Sequence, residues 1–209
     1  MSKYHGFKPE WEHEPPPPGS FRSIFKWGDP NEHKEPNERL YRLMKETFGL
    51  DDGDFRAKRA EGVEAVPDTV PSGLDTTHLA AFRDIVGEDD VRTDTYTRLS
   101  VAYGKTMWDL YRLREGVMKH LPDAVVQPHD KGQIERIVAY CATHRIPITP
   151  YGGGSSATRG LEPIRGGVTL DMGQHFNDVV SFNETNQTIT VEAGISGPKL
   201  EEALNRAPE

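Results

Sequence analysis

Cysteine is almost missing: Cys141 is the only one in 209 residues. That excludes an internal disulfide and a cysteine-rich metal site, and no metal centre is expected. Long apolar runs are missing too, and nothing approaches the ~20 residues of a membrane-spanning helix. The opening Met1-Ser2-Lys3-Tyr4-His5 leads into Glu10, Glu12 and Glu14. It has no apolar stretch, so the expectation is no signal peptide and a cytoplasmic location. Positive charge is in deficit, with 25 Lys and Arg against 33 Asp and Glu and a net charge of −8. Nucleic-acid binding needs clustered cations on phosphates and is disfavoured. A phosphorylated small molecule needs only a local site and stays compatible. Hydrophobic residues make up 35%, which supports a core of modest size once the glycines are counted with them.

The expected organisation is α+β, in three parts. Residues 1–36 read as an extended proline-rich leader. The run Pro15 to Pro18 favours polyproline II, while Trp11, Phe21, Ile24, Phe25 and Trp27 suit an arm packed on a surface. Residues 37–120 read as a helical region. Asn37 can cap a helix that Gly49 ends, with Leu40, Leu43, Met44, Thr47 and Phe48 on one face. Asp51 to Gly73 reads as a loop, and Thr76 to Val86 as a helix with Leu79, Phe82 and Val86 buried. Met107, Leu110, Tyr111 and Arg114 can share a face further on. The arginines of residues 98–120 read as solvated or paired.

Residues 121–209 read as mixed strands and helices. Ala124-Val125-Val126 suits a buried strand. Asp130 caps a helix with Ile134, Ile137, Val138 and Cys141 as its buried stripe, and Ile146 to Pro150 is a second strand. This strand–helix–strand unit implies parallel strands with a right-handed crossover. Val168 to Met172 is another strand. Asn177–Phe182 and Thr188–Glu192 form a half-buried antiparallel hairpin. A last helix starts at Pro198, with Leu200 and Leu204 on its apolar face.

The chemistry-bearing feature is the loop after the second strand, Pro150-Tyr151-Gly152-Gly153-Gly154-Ser155-Ser156. Consecutive glycines cost chain entropy and serve where backbone must approach a ligand. Successive N–H groups in such a turn make an anion-binding concavity, and the serines add hydroxyl donors. A glycine triplet by itself fits a surface loop equally well. It is not a Walker loop, since no Gly-Lys-Ser follows. Nor is it the Gly-x-Gly-x-x-Gly dinucleotide turn, since no helix opens directly after it.

The run Pro147-Ile148-Thr149-Pro150-Tyr151-Gly152-Gly153-Gly154-Ser155-Ser156 resembles the pyrophosphate loop of the PCMH-type (vanillyl-alcohol-oxidase-type) FAD-binding family. Leu170-Asp171-Met172, Ile189 to Ile195 and Leu200-Glu201 follow in that family's order. A narrower resemblance, to its alkylglycerone-phosphate synthase branch, rests on Leu113-Arg114-Glu115-Gly116 and Leu121 to Pro128, and more weakly on Phe25-Lys26-Trp27-Gly28. The likeness implies the first part of a two-lobed flavin domain. It implies FAD with its pyrophosphate against Pro150, Tyr151, Gly152, Gly153, Gly154, Ser155 and Ser156, and the Glu192 to Ile195 segment nearby. The loop has no His, which in some relatives tethers the flavin, so noncovalent FAD is expected.

The resemblance further implies that catalytic groups lie beyond Glu209, and the chain is expected to be an N-terminal fragment. His129, His144 and His175 are base candidates by type, and read more simply as surface or helix-end residues. Three functions stay open: an ether-lipid synthase-like flavoenzyme acting on a lipid or glycerone-phosphate ester, another flavin enzyme such as a D-2-hydroxyacid dehydrogenase, and a non-catalytic cofactor-binding or interaction module. The oligomeric state is not readable.

Overall fold

The computed structural model describes residues 16–24, 37–56, 62–103 and 106–206. Trp11, Pro15 and the Phe25-Lys26-Trp27-Gly28 segment lie outside the described residues. The chain forms two compact units, Met1–Ala65 with Tyr111–Val117, and Val66–Leu110 with Met118–Glu209.

In the first unit the described part of the leader is held by backbone pairing. Ser20 bridges Ala65, the Phe21 N–H donates to the Glu64 carbonyl at 3.2 Å, and the Arg22 N–H donates to the Gly62 carbonyl at 2.7 Å. A 3-10 turn over Arg22–Ile24 follows, and Phe21 and Ile24 are buried. Helix α1 (Glu38–Phe48) has the expected ends. The Asn37 side chain accepts from the Leu40 N–H at 2.9 Å, and Gly49 closes the helix at φ 65°. Of its apolar stripe, Leu40, Leu43 and Phe48 are exposed. The expected loop after it contains helix α2 (Asp52–Arg56). Asp51 and Asp54 exchange side-chain bonds to each other's N–H groups at 3.0 and 2.8 Å. This reciprocal capping turns a loop-like Asp-Gly-Asp run into a helix start.

The second unit carries the sheet. Helix α3 (Thr76–Val86) matches its expected span, with Asp75 as cap and Phe82 and Val86 buried. Strand β1 (Val91–Arg92) and helix α4 (Thr95–Ala102) were not foreseen. Helix α5 (Met107–Arg114), whose second half from Tyr111 belongs to the first unit, opens on a Thr106–Asp109 exchange of side-chain bonds to backbone N–H groups at 3.3 and 3.1 Å. Then come β2 (Ala124–Val126), α6 (Lys131–His144), β3 (Ile148–Tyr151), β4 (Val168–Asp171), β5 (Val179–Asn183), β6 (Thr188–Val191) and α7 (Gly197–Arg206).

The main sheet runs β1-β2-β4-β3. Strands β2 and β3 are both parallel to β4, which lies between them, and β1 pairs antiparallel with β2. The expected strand–helix–strand unit is therefore present, but its two strands are not neighbours. The reason lies in Gly167, at φ 78°, where a β-carbon would overlap the Pro147 carbonyl. Its carbonyl accepts from the Asp123 N–H at 2.6 Å, and the next residue, Val168, donates its N–H to the Pro147 carbonyl at 2.8 Å. A bare backbone at that point lets β4 enter between the two earlier strands.

Period-two alternation divides the core. Ala124, Val126, Val168 and Leu170 face one side and pack with Phe82, Val86, Ile137 and Cys141. Val125 and Tyr151 face the other side with Val101 and Leu161. On α6, Ile137 and Cys141 are buried and Ile134 packs against them, whereas Val138, expected in the same stripe, is exposed. The hairpin β5–β6 pairs as expected, with an irregularity between Val179 and Ser181. It is less buried than its alternation suggests: β5 is exposed throughout, and β6 only half-buries Ile189 and Val191.

Arg98 is 1% exposed, a correction to the solvated or ion-paired expectation. Its Nε donates to the Pro122 carbonyl at 2.5 Å, Nη1 to Val70 at 2.6 Å and Thr93 at 3.4 Å, and Nη2 to Pro71 at 3.4 Å. Burial lowers its pKa, while Asp123, Asp68 and Asp94 oppose that shift. Arg98→Leu strands several carbonyls without a donor and should cost at least about 3 kcal/mol in urea unfolding. Arg92→Leu, which loses only an exposed pair with Asp94, should change stability by less than about 1 kcal/mol.

Cys141 gives a second check. Burial pushes its thiol up to about 11, so at pH 8 roughly one molecule in a thousand carries the reactive thiolate. Iodoacetamide should label Cys141 only when denaturant is added. Rapid labelling of the native chain at pH 8 would contradict the packing described for α6.

Candidate functional site

Because β2, β4 and β3 are parallel, their C-terminal ends share one edge of the sheet. Ligands of open α/β sheets bind beyond that edge. The glycine loop leaves β3 there. Pro150 and Tyr151 end the strand, and Gly152, Gly153, Gly154, Ser155 and Ser156 continue from it.

The loop is shaped by absent side chains. A β-carbon on Gly152 would stand 2.7 Å from the Ala193 carbonyl oxygen, and Gly154 sits at φ 65° directly above the Tyr151 ring. Gly153 has open space where a β-carbon would be. Among the described residues, no acceptor meets the N–H groups of Gly153, Gly154 or Ser155. The Ser156 hydroxyl oxygen accepts from the Gly160 N–H at 3.0 Å, which closes the far end of the loop. The result is a short run of backbone donors without a protein acceptor, with Gly153 and Ser155 exposed and Gly154 buried, suited to an anion.

Tyr151 is placed differently from its neighbours. Its ring is buried with Val101 and Val125, so it supports the loop from below. Burial first, and the Asp171 charge second, raise its pKa, so the phenol stays neutral. Pro150 is exposed at the strand end.

The second small-residue segment meets the first. Ala193 contacts the position of Gly152, and a β-carbon on Gly194 would overlap the Met172 and crowd the Phe176 carbonyls. The Gly194 N–H donates to the Phe176 carbonyl at 2.7 Å. The expected nearness of the 192–195 segment to the loop thus holds. Acidic Asp171, at the end of β4, is occupied: it accepts from Gln127 Nε2 at 3.0 Å and from the Gly173 N–H at 2.9 Å.

The three candidate histidines separate. His144 sits at the end of α6 with its ring against Tyr140 and His78. His129 and His175 leave the ends of β2 and β4 and stack on each other, with ring centroids 3.7 Å apart. Both reach Asp90, a residue that sequence reading did not select. Burial alone would raise the Asp90 carboxyl, but the two imidazoles outweigh it and hold the group below its ordinary range.

Comparison with known proteins identifies the kind of domain that carries this edge. Residues 122–208 match the family model described as "FAD binding domain". The chain carries a PCMH-type FAD-binding domain. It is 28% identical over 180 residues to the alkyldihydroxyacetonephosphate synthase of Trypanosoma brucei brucei, covering 82% of this chain and 29% of that protein. It is 39% identical over 75 residues to the glycolate oxidase subunit GlcD of Bacillus subtilis (strain 168), covering 36% and 16%. A solved alkyldihydroxyacetonephosphate synthase matches with a TM-score of 0.61 at 30% identity, covering 66% of this chain and 28% of that one. The chain thus spans less than a third of the length of each. FAD is the cofactor of the flavin domain. The open donors of residues 153–155 and the bare approach at Gly152 fit its pyrophosphate.

The flavin domain separates its glycines by role. Gly194→Ala collides with fixed carbonyls and should destabilise the chain by at least about 2 kcal/mol. Gly153→Ala meets nothing and should shift stability by less than about 1 kcal/mol. Thermal melts of both variants check this, and equal melting points would refute the described packing of the two loops.

Proposed function

We propose that this chain holds FAD noncovalently through Pro150, Tyr151, Gly152, Gly153, Gly154, Ser155 and Ser156, and that it serves an alkylglycerone-phosphate synthase-type reaction. The observation that carries the reading is the set of unshared N–H groups at Gly153, Gly154 and Ser155, lying at the edge where ligands bind parallel sheets. The absence of His from the loop supports noncovalent attachment. Tyr151 supports from its backbone and its packing, not as an acid. FAD supplies an electron sink when bound, and the protein supplies position and electrostatics.

The extent of the likeness favours the synthase reading over a hydroxyacid dehydrogenase. The likeness to the trypanosomal synthase runs through 82% of the chain, beyond the flavin domain, whereas that to the glycolate oxidase subunit covers 36%. The reaction class is an exchange at a glycerone-phosphate ester: a fatty alcohol enters as the acyl chain leaves as fatty acid. The proposed substrate is therefore a small phosphorylated lipid, met by local donors.

Adding FAD to the purified chain should quench flavin fluorescence, and acid precipitation should release all of the flavin into the supernatant. Gly153→Val, placed in open space, should fold normally and weaken FAD binding at least tenfold. Unchanged FAD affinity in that variant would remove the loop from the site. Reduction of a dye by D-2-hydroxy acids, with no fatty-alcohol-dependent release of fatty acid from an acyl-glycerone phosphate, would sink the synthase assignment.

A further inference from the structure

Asp90, His129 and His175 belong to no part of the flavin reading, yet they converge. Each offers one ligand atom, and the three atoms lie within 4.8 Å of one another. His129 Nε2 is 2.7 Å from one Asp90 carboxylate oxygen, and His175 Nε2 is 2.9 Å from the other. The rings are stacked at an interplanar angle of 21°, and both Nε2 atoms reach the same carboxylate.

Three separate segments bring them there, each fixed by its own backbone bonds. Asp90 directly precedes β1, and its carbonyl accepts from the Gln127 N–H at 3.0 Å. The His129 N–H donates to Gln133 Oε1 at 2.6 Å. His175 lies in a turn held by the Asn177 amide, which donates to the Gly173 and Gln174 carbonyls at 3.1 and 3.0 Å. The Phe176 N–H adds a bond to the Met172 carbonyl at 3.0 Å. The cluster thus stands on positioned backbone, not on three long mobile side chains.

We propose that Asp90, His129 and His175 bind a divalent transition-metal ion of the zinc type. Two imidazoles and one carboxylate suit zinc, cobalt, nickel or copper far better than magnesium or calcium, which prefer all-oxygen shells. Zinc bonds of ~2.0–2.2 Å put tetrahedral ligand atoms roughly 3.3 Å apart. The present nitrogen–oxygen spacings need to open by only about half an ångström to admit the ion. His129 is 45% exposed and His175 27% at the side chain, which leaves the fourth position to water. The ion would tie the ends of β1, β2 and β4 together. The expectation of no metal came from counting cysteines, and this donor set contains none. The site stands independently of the FAD assignment.

The test uses the whole chain stripped with EDTA and then loaded with Co²⁺ or Zn²⁺ alone. One equivalent of Co²⁺ should produce a visible absorption band. Zn²⁺ should displace it, bind with micromolar or tighter Kd against a chromophoric chelator, and raise the melting temperature, while Mg²⁺ should do none of these. His129→Gln and His175→Gln, both at least partly exposed, should fold as judged by circular dichroism and weaken Zn²⁺ at least tenfold each. No cobalt band and no zinc-dependent melting shift in the unsubstituted chain would overturn the proposal, leaving a hydrogen-bonded clasp only. So would a band that persists in both variants.

Discussion

The geometry of the second unit depends on how one buried guanidinium and one carboxylate arrange the entry to the sheet. Arg98 donates to the carbonyls of Val70, Pro71, Thr93 and Pro122. Asp123, the next residue after Pro122, accepts from the Gly73 N–H at 2.9 Å and the Gly167 N–H at 2.6 Å. Together they fasten the start of β2 to the segment before β4 and to the loop ahead of α3. An unpaired charge would be costly at this depth, but here its donors go to carbonyls that would otherwise be short of partners. The register Ala124↔Val168 follows from that fastening. A one-residue slip would turn Val168 and Leu170 to the wrong face.

Register at the entry fixes what emerges at the other edge. Because β2, β4 and β3 are aligned at Ala124, Val168 and Ile148, β4 and β3 end together at Asp171 and Tyr151, and β2 ends one residue earlier, at Val126 opposite Leu170. Gln127 can then reach Asp171, His129 can meet His175, and Gly152 can lie against Ala193. The glycines of this edge act by exclusion. Where Gly152 and Gly194 lack a β-carbon, backbone from distant parts of the chain approaches closely, and the loop N–H groups at 153–155 are left without a protein acceptor among the described residues. Each contact is local, but all of them depend on strands that were already in phase.

Much of this was legible, for reasons that differ by element. Helices α1 and α6 were readable from Asn37 and Asp130, whose side chains do cap them, and α3 from its stripe of Leu79, Phe82 and Val86, while its Asp75 cap emerged only from the structure. The glycine loop stood out because three consecutive glycines are an unusual composition, and the structure shows close backbone approach at Gly152 and a positive φ at Gly154. Helix α4 was not, because its Thr-rich start lacks an apolar period and Arg98 occupies a core position that normally signals surface. The position of β4 between β2 and β3 was not legible either, since adjacency in a sheet is set by Gly167 against Pro147, a contact 20 residues long in the chain. The hairpin strands alternate in sequence, but alternation reports which residues could be buried, not what covers them. The cluster of Asp90 with His129 and His175 spans sequence separations of 39 and 85 residues. No spacing rule reaches that far, and only the shared sheet edge joins them.

The acidic balance of the chain finally accounts for why the loop proposed to hold the flavin pyrophosphate is made of backbone. With a net charge of −8, the mean field of the chain repels a pyrophosphate, and within about 8–10 Å salt screens little of it. A lysine on a flexible stem would have to be ordered against that field and held there. Amide N–H groups fixed by Gly152, Gly154 and the 193–194 segment are already ordered, so their cost is met when the chain folds and not when the ligand arrives. Asp171, the acid nearest in the sheet, has its oxygens engaged by Gln127 and Gly173, which mutes its repulsion. In the proposed site, an anion would be selected by local geometry inside a chain whose overall charge would turn it away. That is why the glycines here cannot be replaced by extra positive charge.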